Sequence, residues 1–340
     1  MNFQMWLKAL RVIPRISKEE WQNLDVISRW LVATRSAVII MTFTSAAIGG
    51  ILAFRDSPAA FSWWRWVLVA IGLVFAHATN NMVNDLTDFK RGVDKDNYYR
   101  TLYGPQPMQQ GLMTQSEVLT YIAVTGLIAV CAGIPLILFG GLPVLILMLV
   151  GMFFVLFYTF PLKYIGLGEV AVLIIWGPLM VAGGYYAVTG VADWNIIWKV
   201  VLASLPYALG ATAVLFGKHI DKLDQDKAKK IFTLPVIIGE TAGRWTVRAM
   251  FVLMYLLPLY LVLVGYFSPF ILVCFLGLLS LPKTWKMYGK PRPVEKPADL
   301  EEGVWPLWFS AASFTHTRSY GMYFMLGMIL DVIFKRLMGG

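Results

Sequence analysis

The stretch NNMVNDLTDFKRGVDKDN, residues 80–97, sets asparagines and carboxylates directly against a long apolar run, in a chain that otherwise avoids charge. Continued as a helix at about 100° per residue, Asn81, Asn84, Asp85 and Asp88 fall on one side over two turns. Gly92 then lets the chain turn back, and Asp94 follows. Amides and acids that reach into an apolar span are costly unless something polar meets them there. A second acidic stretch, GKHIDKLDQDKAKK at 217–230, follows a later apolar run; in a regular helix Asp221 and Asp224 share a face and Asp226 points nearly opposite.

Hard oxygen donors select Mg²⁺, or Mn²⁺, over zinc. Magnesium keeps several waters and takes one or two carboxylates, with a substrate phosphate completing its shell. Two acid clusters set among lysines and arginines therefore predict a diphosphate site. The candidate metal ligands are Asn84, Asp85, Asp88, Asp94, Asp221 and Asp224, and Asn81 joins the polar stripe at the mouth. The candidate anion contacts are Arg35, Lys95, Arg100, Lys163, Lys218 and Lys222. Taken singly, each cation is more simply an inner-surface positive charge, except Lys163, the lone charge of a very short loop after YTFPL.

These residues need a scaffold that gathers them at one membrane edge. The chain has 340 residues, 58% hydrophobic and 14% charged, with a mean hydropathy of +0.65. That is the composition of an all-α polytopic membrane protein, because every apolar run must satisfy its own backbone hydrogen bonds in lipid. FGGLP (139–143) and YFSPF (266–270) split the two longest runs. About nine transmembrane helices are then expected, near 32–54, 65–84, 118–138, 143–160, 168–188, 199–217, 246–265, 268–283 and 319–338.

Placing the N-terminus in the cytoplasm leaves only Arg55, Arg65, Lys199, Lys335 and Arg336 of the 29 lysines and arginines outside. The acidic clusters then face the cytoplasm, from the cytoplasmic membrane. The net charge of +9 fits anionic lipid or an anionic substrate and calls for no nucleic acid. Residues 1–30 mix aromatic and aliphatic with basic residues and read as an interfacial segment rather than a signal peptide. Residues 31–340 form one transmembrane domain with cytoplasmic loops 85–117, 218–245 and 284–317. Cys131 and Cys274 read as small buried apolar groups. His77 shares the polar stripe and reads as a hydrogen-bonded structural residue; His219 and His316 read as incidental. Asp331 is an intramembrane acid far from the others, with Lys335 one turn on as a partner.

NDLTDFKRGVD (84–94) resembles the first aspartate-rich motif of the UbiA-type intramembrane prenyltransferases, and YTFPLK (158–163) is similar to their Tyr/Lys motif. GLGEVAVLIIWGPLMVAGGYYAVTG (166–190) and QQGLM (109–113) resemble the branch that prenylates dihydroxynaphthoate in menaquinone synthesis. HIDKLDQDKAKKIFTLPVIIG (219–239) sits where the second motif belongs, but position 222, four before Asp226, is lysine where an aspartate is usual. The resemblance covers about residues 30–270 and implies a nine-helix bundle with Mg²⁺-dependent transfer of an isoprenoid chain from a prenyl diphosphate to a lipophilic or aromatic acceptor within the membrane. On that reading Asp88, Asp221, Tyr158 and Lys163 carry catalysis, and Asp221 and Asp224 serve as second-motif ligands.

Aromatic residues Phe153, Phe154, Phe157, Tyr158, Trp176, Tyr185 and Tyr186 are the candidate lining of a water-free pocket for an allylic cation. A cation-coupled transporter is the rival of another class; its sites belong near the midplane on broken helices within repeats, and neither feature is evident. A phosphatidyl-alcohol transferase lacks its DG and AR pairs here. A prenyltransferase with a non-aromatic acceptor such as glyceryl phosphate stays open, as do the donor's chain length and the oligomeric state.

Overall fold

The computed structural model describes residues 2–93, 104–298 and 305–338, and among these there is no strand. Three short helices lead: α1 (Phe3–Arg11), α2 (Lys18–Gln22) and α3 (Val26–Ala33). Ser17 and Glu20 cap α2 reciprocally, satisfying amides that have no partner inside the helix. Asp25 caps α3 and also accepts the N–H of Asn2 at 2.7 Å, which ties α1 down. Ala9 of α1 then packs inward near Trp21, while Phe3, Leu7 and Leu10 stay exposed.

The bundle follows with α4 (Ser36–Asp56), α5 (Trp63–Lys90), α6 (Gln115–Phe157), α7 (Gly168–Thr189) and α8 (Trp194–Asp221). Short α9 (Leu223–Ala228) and α10 (Leu234–Ile238) lead into α11 (Glu240–Leu263). Six of these, α4 to α8 and α11, are long and apolar enough to cross a membrane. A 3₁₀ stretch, Pro269–Leu279, meets α12 (Leu281–Met287) at 54°, and the bent pair makes a seventh if it is one span. The last helix is α13 (Trp308–Leu337).

The turn expected at FGGLP is present: Gln115–Phe157 is two helical halves that meet at a sharp kink at Gly141, and a Cβ on Gly133 would lie 2.6 Å from the Met148 sulfur, so the second half runs back along the first. Gly141 there adopts φ 65°, ψ −150°, a region open to glycine, and Pro143 follows it. α8 is the central helix: 72% of its apolar window is buried, against 11% for α6, so α6 presents its side chains to lipid. Small residues make the centre possible. A Cβ on Gly217 would meet the Tyr288 hydroxyl at 2.6 Å and the Phe309 carbonyl carbon at 2.7 Å, so α13 can press against α8 only because that position is bare.

At the end of the bundle away from the acidic clusters, Asp331 pairs with Arg55, not with the expected Lys335. Arg55 also binds Asp56 and the Tyr266 carbonyl, and Asp331 accepts the N–H of Ser268 at 2.6 Å. This buried network joins α4, α13 and the start of the 3₁₀ stretch. Removing one partner of a buried ion pair costs about 3–5 kcal/mol, since the other charge is left uncompensated. Asp331→Asn is therefore expected to lower the unfolding temperature of the purified protein markedly; unfolding at the parent's temperature would show that the network does not hold this end.

Candidate active site

α5 stays regular through Lys90, so the stripe read from its sequence survives: Asn81, Asn84, Asp85 and Asp88 are all buried at one end of the bundle. Each acid of this stripe meets a cation brought from elsewhere. Arg35 lies between α3 and α4 in the left-handed conformation, φ 54°, rare for a residue with a side chain and typical of strained functional positions. Its Nη2 is 3.1 Å from Asp85 Oδ1 and donates to the Asn81 carbonyl, also at 3.1 Å. The Asn81 amide in turn donates to the Thr34 carbonyl at 2.8 Å.

Lys163 comes from the short 3₁₀ turn Leu162–Ile165 between α6 and α7. It is 3% exposed, and its Nζ donates to both oxygens of Asp88, at 2.7 and 3.1 Å. Burial pulls the Lys163 ammonium below the ordinary lysine range, and the Asp88 carboxylate works against that fall. Tyr158, at the end of α6, is half-buried and lines an apolar cavity of the bundle.

The second cluster departs from the expectation of a regular helix. α8 ends at Asp221, α9 starts at Leu223, and Lys222 between them has φ −119°, ψ 25°. The break rotates the acids: Asp226 is buried and Asp224 is exposed, the reverse of the predicted facing. Both oxygens of Asp221 accept backbone N–H groups, from Phe309 at 2.9 Å and Ser310 at 3.0 Å. Asp221 therefore caps the first turn of α13, where orphan amides and the helix dipole favour a carboxylate. Lys222 and Asp226 pair at 2.8 Å, both buried, and Asp226 Oδ2 is buried with no hydrogen-bond partner.

The two clusters converge on Lys163. The charges of Lys222 and Asp226 act on it together with that of Asp88. The backbones confirm the approach: Lys229 Nζ donates to the Val93 carbonyl at 2.6 Å, and the Phe232 N–H to the Tyr164 carbonyl at 3.3 Å. Asp94, Lys95 and Arg100 lie outside the described residues.

An apolar cavity of about 860 Å³ opens from this end between α5, α6, α7 and α8. Its polar end is lined by Arg35, Asn81, Asn84, Tyr158 and Lys218. Asp85 and Asp88 follow Asn84 along α5, Asp88 one turn beyond it; like Lys163 and Asp226 they are not among the residues that line the cavity. Of the expected aromatic lining, Phe154, Tyr158 and Trp176 reach the cavity. Phe153 and Phe157 face outward at 47% and 45% exposure, and Tyr185 is packed in the core against the Ser57 hydroxyl. Trp176 stands where α7 widens over Ile175–Ala182 around the non-helical Gly177 and Pro178, and its carbonyl accepts the Ser45 hydroxyl at 2.9 Å.

His77 bonds Thr42 at 2.7 Å, as its structural reading requires. His219 and His316 are not incidental. His219 is buried against Glu169, whose other oxygen accepts the Leu234 N–H at 3.3 Å; this pair joins α7, α8 and α10 around Lys163. His316 is buried and bonds Ser280 at 2.8 Å, linking α13 to the end of the 3₁₀ stretch. Glu169, opening an apolar helix in the GLGE segment, was the overlooked signal.

Among the described residues no three His, Cys, Asp or Glu side chains converge to hold an ion by themselves. Magnesium takes one or two carboxylates and completes its shell with phosphate and water. The orphaned Asp226 Oδ2 and the amide oxygen donor of Asn84 are of the hard type it prefers.

Residues 40–300 match the model of the UbiA prenyltransferase family. The chain is 29% identical over 231 residues to the UbiA prenyltransferase domain-containing protein 1 homolog of Drosophila melanogaster, covering 64% of this chain and 60% of that one. It is 27% identical over 249 residues to the 1,4-dihydroxy-2-naphthoate octaprenyltransferase of Escherichia coli (strain K12), covering 66% and 72%. Among solved structures it shares its fold with a UbiA homolog from Aeropyrum pernix K1, TM-score 0.61 at 17% identity, covering 87% of this chain and 98% of that one. A UbiA homolog from Archaeoglobus fulgidus bound to DMAPP and Mg²⁺ is similar at TM-score 0.53, 17% identity and the same coverage. With that family's model matched across most of its length, the chain belongs to the UbiA prenyltransferase family.

Proposed function

We propose that this protein transfers an isoprenoid chain from a prenyl diphosphate to an aromatic quinone precursor, within a bundle of nine crossings whose N-terminus and active site face the cytoplasm. The observation that carries this reading is the pair of buried ion pairs Asp88–Lys163 and Asp226–Lys222 in a bundle whose 860 Å³ apolar cavity has Arg35, Asn81, Asn84, Tyr158 and Lys218 at its polar end. An apolar tail beside a cluster of charges is the shape of a prenyl diphosphate. The likeness to a 1,4-dihydroxy-2-naphthoate octaprenyltransferase and to a UbiA homolog bound to DMAPP and Mg²⁺ supports the same reading.

Asn84, Asp85, Asp88 and Asp226 would hold magnesium; Asp226 takes the place expected of Asp221 and Asp224, because the former caps α13 and the latter faces out. Bound there, magnesium supplies neutralising charge to the diphosphate. The chain's own cations do the same from fixed positions: Lys163 and Lys222 at the cluster, Arg35 and Lys218 at the wall. The allylic C–O bond breaks with its electron pair on the diphosphate. Phe154, Tyr158 and Trp176 then face the allylic cation, each worth roughly 0.5–2 kcal/mol when desolvated. The neutral phenol of Tyr158 adds no competing nucleophilic charge. The acceptor ring forms the new carbon–carbon bond and releases its proton. The dry walls keep water from trapping the cation, and hold a tail whose exposure would cost about 0.8 kcal/mol per CH₂.

Purified protein incubated with a prenyl diphosphate and a panel of acceptors should give a prenylated dihydroxynaphthoate or hydroxybenzoate by mass spectrometry, only with Mg²⁺ or Mn²⁺ present. Product from glyceryl phosphate alone, or product without a divalent ion, would overturn the reading. Cavity shape gives a further check. Gly151 lines the cavity, and a Cβ there would touch nothing within 4 Å, so the protein's packing does not require glycine at this position. Gly151→Leu should leave folding and dimethylallyl transfer unchanged. Relative kcat/KM for long donors should fall by about 10–200-fold, the scale of one misplaced apolar group in a fitted pocket. Equal losses at every chain length would place the tail elsewhere.

A further inference from the structure

We propose that Lys222 is a fixed cation standing in for a divalent ion at Asp226, so that the site binds its diphosphate with a single metal ion. The inference rests on the diphosphate reading above and sharpens it.

The charge inventory of the described site leads there. Asp85 is paired with Arg35, Asp88 with Lys163 and Asp226 with Lys222, at 3.1, 2.7 and 2.8 Å. Asp221 is committed to the amides of α13, and Asp224 is exposed. The second cluster therefore offers one buried carboxylate, and Lys222 already holds its Oδ1. Oδ2 is the buried oxygen left for a ligand.

Lys222 cannot easily leave. It is 4% exposed, and a buried ammonium without a counterion is strongly disfavoured. Its position is fixed by the backbone, since the Asp226 N–H donates to the Lys222 carbonyl at 2.9 Å and places the two side chains one turn apart. A single ion needs one or two carboxylates beside phosphate and water, which Asp88 and Asp226 supply. Two ions sharing one diphosphate would ask for more carboxylates than the described residues of the second cluster present. Position 222 is also where the sequence departs from two aspartates spaced four apart.

Full-length protein in detergent can be titrated with Mn²⁺ in the presence of geranyl thiodiphosphate, a slow donor analogue, with bound Mn²⁺ counted by electron paramagnetic resonance. The parent should bind one Mn²⁺ per chain. Lys222→Asp, which restores a second carboxylate, should bind two, and its analogue affinity should depend more steeply on Mn²⁺. Lys222→Met, in case the aspartate variant folds poorly, should weaken analogue binding at fixed Mn²⁺ at least about tenfold. Two Mn²⁺ ions in the parent, or unchanged affinity in Lys222→Met, would overturn the proposal while leaving the diphosphate reading intact. No analogue-dependent Mn²⁺ binding in the parent would overturn both.

Discussion

Asp88→Asn is expected to lower turnover by about 10²–10³-fold, the loss that follows removal of one preorganised charge at a developing leaving group. The substitution keeps the side chain's size, so cavity shape is not the cause. It also leaves Lys163 buried without its counterion, for which about 3–5 kcal/mol of stability is expected to be lost. These two effects separate in the double variant Asp88→Asn/Lys163→Met. Removing both charges should return the unfolding temperature toward the parent's value, while turnover stays low. If the single variant loses activity only in proportion to its loss of folded protein, Asp88 is a structural acid and the assignment fails.

The second cluster gives the sharpest contrast within a few residues. Asp226→Asn should cost about 10²-fold in turnover, for the same electrostatic reason as Asp88. Asp224→Asn should change turnover and stability little, because an exposed substitution away from any network stays within about 0.5 kcal/mol. Asp221→Asn should act differently again. Its carboxylate accepts two amides at the start of α13, and hydrogen bonds to a charged group contribute about 1.5–3 kcal/mol. A lower unfolding temperature with nearly normal turnover per folded molecule is expected. Full activity in Asp226→Asn together with loss in Asp224→Asn would show that the regular-helix facing is the true one in the working enzyme.

These three acids also show where sequence reading ends. The stripe Asn81, Asn84, Asp85, Asp88 was legible because α5 runs unbroken past the acids, so a count at 100° per residue holds through them. The same count failed after Asp221 because α8 stops there and α9 restarts two residues on with a new axis. No local pattern announces that break; KHIDKLDQDK is as good a helix sequence as its neighbours. The role of Asp221 depends on Phe309, 88 residues away, which enters only through packing. Glu169 and His219 are 50 residues apart and each reads alone as ordinary. Lys163 was legible for the opposite reason: an ammonium alone in a short loop between two apolar runs has few bland explanations. The bundle itself was written in the apolar runs. The FGGLP turn was legible too, because Gly141 takes a backbone conformation open to glycine and turns the chain back on itself between two apolar halves.

The account stands or falls on where the donor's diphosphate sits. Crystals of the full chain with Mn²⁺ and geranyl thiodiphosphate, measured at the manganese edge, would locate ion and diphosphate together. The account predicts an anomalous peak between the Asn84–Asp88 turn and Asp226, with the diphosphate against Lys163. A peak beside Asp224, or a diphosphate bound at the far end near Arg55 and Lys335, would contradict it.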